Sequence, residues 1–345
     1  MTQSNPITLI GSPPSPYTRK MVALMRYRHI AYRIIWDNPV AILDEMGVAK
    51  PKVSLLPTYV LPDEEGEMQA VCDSTPIIRR LETEHEGRSV IPDDPAMAFI
   101  DYLLEDFADE WATKYMFHYR WHLEVDADNA GTLLPLFQTI NLPAEQLNHF
   151  KPYITERQVG RLHVVGSNDV TAPVIDASYK RLLTAMEAHL TQQPYLMGNR
   201  PGASDFALYG QLTQLVGFDP TPRVIAHSLS PRTVAYTSLM EDQNGLEPKA
   251  SDWGTAETVP ETLKAILNEV GHVYAPALLA NAQAMQAGEK TWEAEIDGSR
   301  WTQQTFNYQG KCLQWINAEY QALSQADRAR VDGLLAGTGC EKILF

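Results

Sequence analysis

Short apolar runs alternate with amphipathic stretches through the first 88 residues, a pattern typical of an α/β domain. Residues 7–10 predict a strand, residues 20–28 a helix, and residues 31–35 a second strand. Because a helix lies between the two strands, the connection is long enough for them to run parallel. A short helix is expected over residues 41–46, where the surrounding sequence is otherwise irregular.

The next segment predicts a hairpin followed by a helix. Strand-like runs at residues 58–61 and 68–72 are separated by the polar segment PDEEGE, whose glycine suits a turn. Asp73-Ser74-Thr75-Pro76 then opens a helix that runs to about residue 84, with Asp73 or Ser74 as its cap and Pro76 in its first turn. The predicted order of elements is therefore βαβ–ββα, with the short helix between the two halves.

The pattern changes after a linker at residues 89–95, which contains two prolines. Apolar positions then recur at helical spacing and predict one long amphipathic helix from residue 97 to about residue 123. Residues 219–257 are rich in Pro, Ser, Thr and Asp and are expected to form an extended surface loop. Asp297-Gly298, within TWEAEIDGSRWTQQ, predicts a hairpin. Further helices are predicted at residues 144–163, 172–192, 204–217, 260–287, 302–324 and 326–336.

Composition and charge narrow the possible partners. The 345-residue chain is 44% hydrophobic, and its 43 acidic against 28 basic residues give a net charge of −15. Nucleic acid and anionic membrane surfaces attract clustered basic residues, which the sequence lacks, so neither partner is expected. The three cysteines, Cys72, Cys312 and Cys340, are too few for a disulfide scaffold and have no zinc or redox spacing. The opening MTQSNPITLI has no leader pattern, and we expect a reducing cytoplasm.

Three separated segments of the first 88 residues carry groups that can bind a ligand. Ser15 places a hydroxyl at the start of the first helix. Leu56-Pro57 stands immediately before a strand, where a cis proline would present its backbone for pairing. Asp73-Ser74 stands at the N-terminus of another helix, where a hydroxyl and backbone amides can hold a carboxylate.

The order and spacing of these segments resemble the glutathione S-transferase superfamily. The resemblance implies a thioredoxin-like, glutathione-binding domain at residues 1–88, in which Ser15 acts on the thiol. It further implies that Leu56-Pro57 binds the cysteine backbone of glutathione. Asp73-Ser74 would then bind the γ-glutamyl end, with Asp in place of the usual Glu.

The resemblance continues into the second half of the chain. YLMGNRP, followed by Asp205, is similar to the loop and cap that open a buried helix in this family. Gly202 stands where Ser or Thr is usual, so half of the reciprocal capping box remains. The implied fold class is α/β plus all-α, with a larger, mostly helical domain over residues 96–345. Residues 218–345 form an atypical extension, because members of the family usually end sooner.

A serine at a helix N-terminus can activate a bound thiol. A thiol with a pKa of about 8.5 is mostly protonated at neutral pH. A hydrogen bond from Ser15 and the partial positive charge of the helix end both favour the thiolate. Ser12 is a competing candidate for activating the thiol. Tyr17 is a third candidate and is also expected to contact glutathione. The structural alternative for Ser15 is that it only caps the helix. No cysteine precedes Cys72, so the reactive sulfur must come from the ligand.

The long helix supplies candidates for the second substrate. Trp111, Tyr115 and Tyr119 form an aromatic row of a kind more often found in a core, but the resemblance places this helix beside the cleft, so they are candidate pocket residues. Arg19 and Lys20 are expected near the site, with the direction they face left open. We expect an acidic cluster on this helix to be a solvated face; its members are Glu105, Asp106, Asp109 and Glu110. The alternative is that Asp106 and Glu110 act as a general acid–base pair.

The function expected from the resemblance is a glutathione transferase that directs the thiolate at a small, largely apolar electrophile. The alternatives are a non-catalytic glutathione-binding or structural protein, and a glutathione-dependent reductase or peroxidase. The resemblance also implies a homodimer. His118 and His122 are four residues apart but lack a third ligand at chelating spacing, so no metal cofactor is expected.

Overall fold

A computed structural model describes residues 6–345 of the chain. Residues 1–5, which belong to the segment expected to carry no leader, lie outside the described residues. The elements of the first region follow the predicted order: β1 (Ile7–Gly11), α1 (Pro16–Tyr27), β2 (Tyr32–Trp36), α2 (Pro39–Met46), β3 (Thr58–Pro62), β4 (Met68–Val71) and α3 (Ser74–Glu84).

The four strands form one sheet in the order β2-β1-β3-β4, with β1 parallel to β2 and antiparallel to β3. Strand alternation separates two faces. Ile10 and Val60 pack on one face with Leu43 of α2. Leu9 and Tyr59 point to the other face, into the main core shared with the helices. Because one face is covered by helices from both halves of the chain, the thioredoxin-like domain is joined to the helical domain through a common core.

The remainder of the chain is mostly helical, which confirms the expected fold class. One hairpin, β5 (Thr291–Ile296) and β6 (Ser299–Gln304), turns at Asp297-Gly298 as predicted. The helices are α4 (Pro95–Glu110), α5 (Ala112–His122), α6 (Glu124–Gln138), α7 (Ala144–Val159), α8 (Ala172–His189), α9 (Ala203–Gly217), α10 (Pro220–Leu229), α11 (Pro231–Met240), α12 (Glu261–Glu269), α13 (Ala275–Gln286), α14 (Asn307–Ala322) and α15 (Gln325–Leu335).

Several sequence predictions in the helical domain are wrong. The long helix over residues 97–123 is interrupted at Trp111, which separates α4 from α5. The expected loop at residues 219–257 contains α10 and α11, because Pro220 and Pro231 occupy the first turns of helices, where proline is tolerated. Helix α6 was not predicted, and the helix expected from residue 302 begins at Asn307, since the hairpin extends to Gln304.

Helix α9 is buried and packs closely on α1. The Asp205 carboxylate accepts hydrogen bonds from the backbone amides of Gly202 and Leu196, both at 2.9 Å, which confirms the expected half of the capping box. At Gly210, an added Cβ would stand 2.4 Å from the backbone oxygen of Pro16. The backbones of α1 and α9 therefore approach closely at the N-terminus of α1, next to Ser15.

The extension after residue 217 is part of the same core rather than an appendage. Helices α14 and α15 pack against α4. Arg330 of α15 donates to Asp94, the N-cap of α4, at 2.9 Å. Through these contacts, the extension reaches the region where the two domains meet.

None of the helices within residues 6–345 combines the length and apolar character that a membrane crossing requires.

Candidate functional site

A cavity of about 760 Å³ lies between the N-terminal domain and the helical domain. Its walls bring together all three segments singled out in the sequence, although they are far apart along the chain. Residues of α4, α5 and the extension form much of the remaining wall. The sequence-predicted residues that line it are Ser15, Tyr17, Leu56, Pro57, Asp73 and Ser74.

Ser15 is the N-cap of α1 and is nearly buried. Its Oγ accepts a hydrogen bond from the backbone amide of Thr18 at 3.2 Å. Because the hydroxyl acts there as an acceptor, its own hydrogen remains available to a ligand. Capping and thiol activation are therefore compatible in one side chain.

Tyr17 is less suited to activating a thiol. Its hydroxyl donates to the backbone oxygen of Asp109 at 2.7 Å, so that hydrogen is already used. Burial raises the pKa of the Tyr17 phenol well above its usual range.

The Leu56–Pro57 peptide bond, which lies immediately before β3, is cis, as considered from the sequence.

Asp73 and Ser74 meet the cavity at the start of α3. The Ser74 hydroxyl accepts a hydrogen bond from Lys20 Nζ at 3.0 Å and keeps its own hydrogen free. Asp73 has a left-handed backbone, with φ of 83°, and accepts a hydrogen bond from the hydroxyl of Tyr308 at 2.7 Å. Burial raises the pKa of the Asp73 carboxyl. A residue of the extension thus contacts the predicted γ-glutamyl end of the site.

The acidic cluster is not the solvated face that the sequence suggested. Glu105 is fully buried, and Asp109 is 7% exposed. Lys20 Nζ donates to both carboxylates, at 2.9 Å and 2.6 Å, and Arg79 donates to Glu105 at 3.1 Å. The two bases compensate the buried charge, which explains how the acids enter the core. One carboxylate oxygen of Asp109, Oδ1, is buried without a hydrogen-bond partner, although Asp109 lines the cavity.

Two further ionisable groups line the wall formed by α4 and α5. Burial, together with the charges of Asp106 and Asp109, raises the pKa of Glu110 to about 8. Burial lowers the pKa of Lys114 to about 8. The Glu110 carboxylate accepts a hydrogen bond from Gln309 of α14 at 3.3 Å.

Other predicted residues stand apart from this cavity. Ser12 lines a neighbouring cavity of about 470 Å³. The aromatic row points into the core, because Tyr115 bonds to Ser178 and Tyr119 to Asp176 on α8. The candidate pocket residues Trp111, Tyr115 and Tyr119 are thus corrected to core residues; the opposite side of the same helix faces the cavity.

The two basic residues of the first helix have different environments. Arg19 pairs with Glu241 of the helical domain, whereas Lys20 is buried beside Ser74. His118 and His122 stack with ring centroids 4.6 Å apart. In the part of the chain that the structure describes, no three His, Cys, Asp or Glu side chains are grouped to hold a metal ion.

The residues that the extension contributes to the cavity were not predicted from the sequence. The cavity is also lined by Gln303, Tyr308 and Gln309, which are more than 200 positions from the three N-terminal segments along the chain. No motif marks them. Lys114 did carry a signal, since it is a rare base within a stretch of acidic and aromatic residues.

Comparisons with known proteins agree with this architecture. A family model described as glutathione S-transferase, N-terminal domain, matches residues 9–89. A second model, described as glutathione S-transferase, C-terminal domain, matches residues 168–240. The chain belongs to the glutathione S-transferase superfamily. A search of curated proteins gave no match.

Solved structures similar to this chain include three glutathione transferases. The tau-class enzyme from mango, Mangifera indica, is 16% identical, with a TM-score of 0.39, and the match covers 76% of this chain and 96% of that chain. A Methylobacterium radiotolerans enzyme in complex with glutathione sulfonate is 17% identical, with a TM-score of 0.39 and coverage of 74% and 95%. Poplar glutathione transferase F1 is 15% identical, with a TM-score of 0.40 and coverage of 70% and 95%.

Proposed function

We propose that the protein is a glutathione transferase that activates the thiol of glutathione with Ser15. The observation that carries this proposal is that Ser15, Leu56-Pro57 and the Asp73-Ser74 pair line one cavity. Each segment is common by itself. Their convergence on a cavity large enough for a small peptide and a second substrate is not expected by chance.

The γ-glutamyl end of glutathione carries a carboxylate and an ammonium, and the cavity offers a partner for each. The Ser74 hydroxyl, at the N-terminus of α3 and beside Lys20, suits the carboxylate. The carboxylates of Asp73 and Asp109 suit the ammonium, because both residues line the cavity. The proposed orientation directs the cysteine of glutathione toward Leu56-Pro57 and its sulfur toward Ser15.

The proposed reaction needs no enzyme-borne nucleophile. A hydrogen bond from Ser15 stabilises the thiolate of bound glutathione, and the N-terminus of α1 adds a favourable partial charge. The thiol proton leaves to solvent, and the thiolate forms a carbon–sulfur bond with a small electrophile on the apolar part of the cavity wall, which includes Val53, Leu55 and Met116. The bond that breaks is the one to the leaving group of the electrophile, or the π bond of an activated alkene, whose second carbon then takes up a proton. A non-catalytic glutathione-binding protein is the second candidate, and Asp73 in place of the usual Glu favours it. A glutathione-dependent reductase or peroxidase shares the same thiolate and differs in its substrate.

Calorimetric titration with glutathione, followed by conjugation assays on a panel of electrophiles, tests the proposal. We expect Ser15→Ala to retain glutathione binding and to lose most of the turnover. If the wild type binds glutathione but turns over no electrophile, the result would favour a non-catalytic glutathione-binding protein. Turnover of peroxides or disulfides in place of conjugation would favour the reductase or peroxidase, and absence of binding would contradict all three.

Ser324→Ala is a matched control, because Ser324 also caps a helix through its side chain, at the start of α15, without lining the cavity. Both substitutions remove an N-cap worth about 0.5–2 kcal/mol. A loss of turnover in Ser15→Ala that Ser324→Ala shares would indicate lost stability rather than lost chemistry.

The family resemblance also favours a homodimer, and the low cysteine content favours a reducing compartment such as the cytoplasm. Light scattering at several protein concentrations tests the dimer directly. A monomeric mass at all concentrations would contradict it.

A further inference from the structure

Lys114 of α5 is a buried cation in the wall of the same cavity, with 2% of its surface exposed. Its Nζ donates to the side-chain oxygen of Gln303 at 3.1 Å and to the backbone oxygen of Val165 at 3.3 Å. The ammonium also lies 5.5 Å from the ring of Trp111 and 5.7 Å from the ring of Trp301. These contacts hold the ammonium in one position.

The site of Lys114 is assembled from distant parts of the chain. Gln303 is itself fixed, because its amide donates to the backbone oxygen of Val164 at 2.6 Å and its oxygen also accepts from the Trp301 indole at 3.1 Å. Such a network restrains the lysine more than a solvated side chain would be restrained. It leaves the third hydrogen of the ammonium without a protein acceptor among the described residues.

The charge of Lys114 has no direct counter-ion. Both of its hydrogen-bond acceptors are neutral, and no ion pair within residues 6–345 includes it. Glu110 is the acid whose field acts on Lys114, but its raised pKa of about 8 leaves it mostly protonated at neutral pH. A buried ammonium without a counter-ion is costly, so an anion at this place would be strongly favoured.

We propose that Lys114 binds a carboxylate carried by the second substrate. The inference rests on the proposed function, because it assigns the part of the cavity beyond the glutathione site. The cavity also has apolar lining residues, which are Met116 on α5, Val164 on the turn between α7 and α8, and Phe306 immediately before α14. The substrate class that fits is therefore an apolar electrophile with a single carboxylate group.

Glutathione derivatives with matched S-substituents test this assignment. Each S-(carboxyalkyl)glutathione of two to six substituent carbons is compared with the S-alkylglutathione of equal carbon number, by calorimetric titration. For the length that fits best, we expect the carboxylate to improve affinity for the wild type by about tenfold or more, as a charged hydrogen bond in a buried site would. Lys114→Met should remove that advantage and leave the affinity for the alkyl partner within about twofold.

Lys311→Met is the control variant, because it removes the same charge from an exposed position of α14 outside the cavity. We expect it to retain the carboxylate advantage. An equal affinity ratio in the wild type and in Lys114→Met, or no advantage of the carboxylate at any length, would overturn the inference alone. Failure of every derivative and of glutathione itself to bind the wild type would overturn the proposed function as well.

Discussion

The hydroxyl of Tyr308 donates a hydrogen bond to Oδ2 of Asp73 across 2.7 Å, which joins the extension to the N-terminal domain at the cavity. The Tyr308 ring is held by an edge contact with Trp315 and a tilted contact with Phe306, with centroids 5.7 and 6.2 Å away. The extension therefore completes the wall of the site and restrains a residue proposed to bind glutathione.

Tyr308→Phe removes this hydrogen bond and keeps the ring contacts. We expect the dissociation constant for glutathione to rise by about threefold to tenfold, because Asp73 loses the partner that orients it. Calorimetric titration measures the change. Tyr320→Phe is the matched control, since it breaks a Tyr–Asp bond of the same 2.7 Å length to Asp332 on the surface. Equal affinities in the two variants would contradict a role for Tyr308.

The buried pair of Arg120 and Asp219 is expected to be important for stability. The guanidinium contacts Asp219 through two nitrogens, each at 2.9 Å, and Asp219 is fully buried. Arg120→Ala leaves that charge uncompensated, so the free energy of unfolding should fall by about 3–5 kcal/mol. Urea denaturation measures it. Lys151→Ala breaks an exposed pair with Asp128 and should cost less than about 1 kcal/mol, and similar losses in both would refute the distinction.

Two helical glycines with different surroundings are expected to respond oppositely to substitution by alanine. Gly210→Ala forces a Cβ against the backbone oxygen of Pro16 and should destabilise the protein by about 1–3 kcal/mol. Gly333→Ala, on the exposed face of α15 with open space around it, should stabilise by up to about 1 kcal/mol. Thermal unfolding measures both. A neutral Gly210→Ala would show that the two helices can separate without cost.

Glu110 should make stability depend on pH. Its pKa of about 8 in the folded protein lies above its ordinary value, so the folded state retains a proton that the unfolded state loses. Wild-type stability should therefore fall as pH rises through this interval, and Glu110→Gln should lack that component. We expect the melting temperature of the variant to gain on the wild type progressively between pH 5 and pH 8. Glu295→Gln, at an exposed position of β5, should follow the wild-type curve; a constant difference between wild type and Glu110→Gln would contradict the assignment.

Local patterns predicted the N-terminal domain well, because its strands are short apolar runs and its turns carry their own signals. The hairpin at Asp297-Gly298 was predicted for the same reason. Pro220 and Pro231 misled the prediction, since proline serves both in loops and in the first turn of helices. The boundary between domains at residue 88 stays a prediction.

The candidate site was predictable only where a motif lay within one short segment. Ser15, Leu56-Pro57 and Asp73-Ser74 satisfied that condition. The sequence could not show which side of α5 faces the cavity, because aromatic residues and Lys114 occur together on that helix, and packing against α8 decided the matter. Long-range partners such as Tyr308 depend on the tertiary fold and left no local trace.

Ser15 is proposed to lower the pKa of the thiol of bound glutathione. The ultraviolet absorbance of the thiolate, recorded against pH for glutathione bound to the wild type and to Ser15→Ala, measures that pKa directly. We expect a value well below the roughly 8.5 of an ordinary thiol in the wild type, and a return toward 8.5 in the variant. The same thiol pKa in both proteins would contradict this role of Ser15.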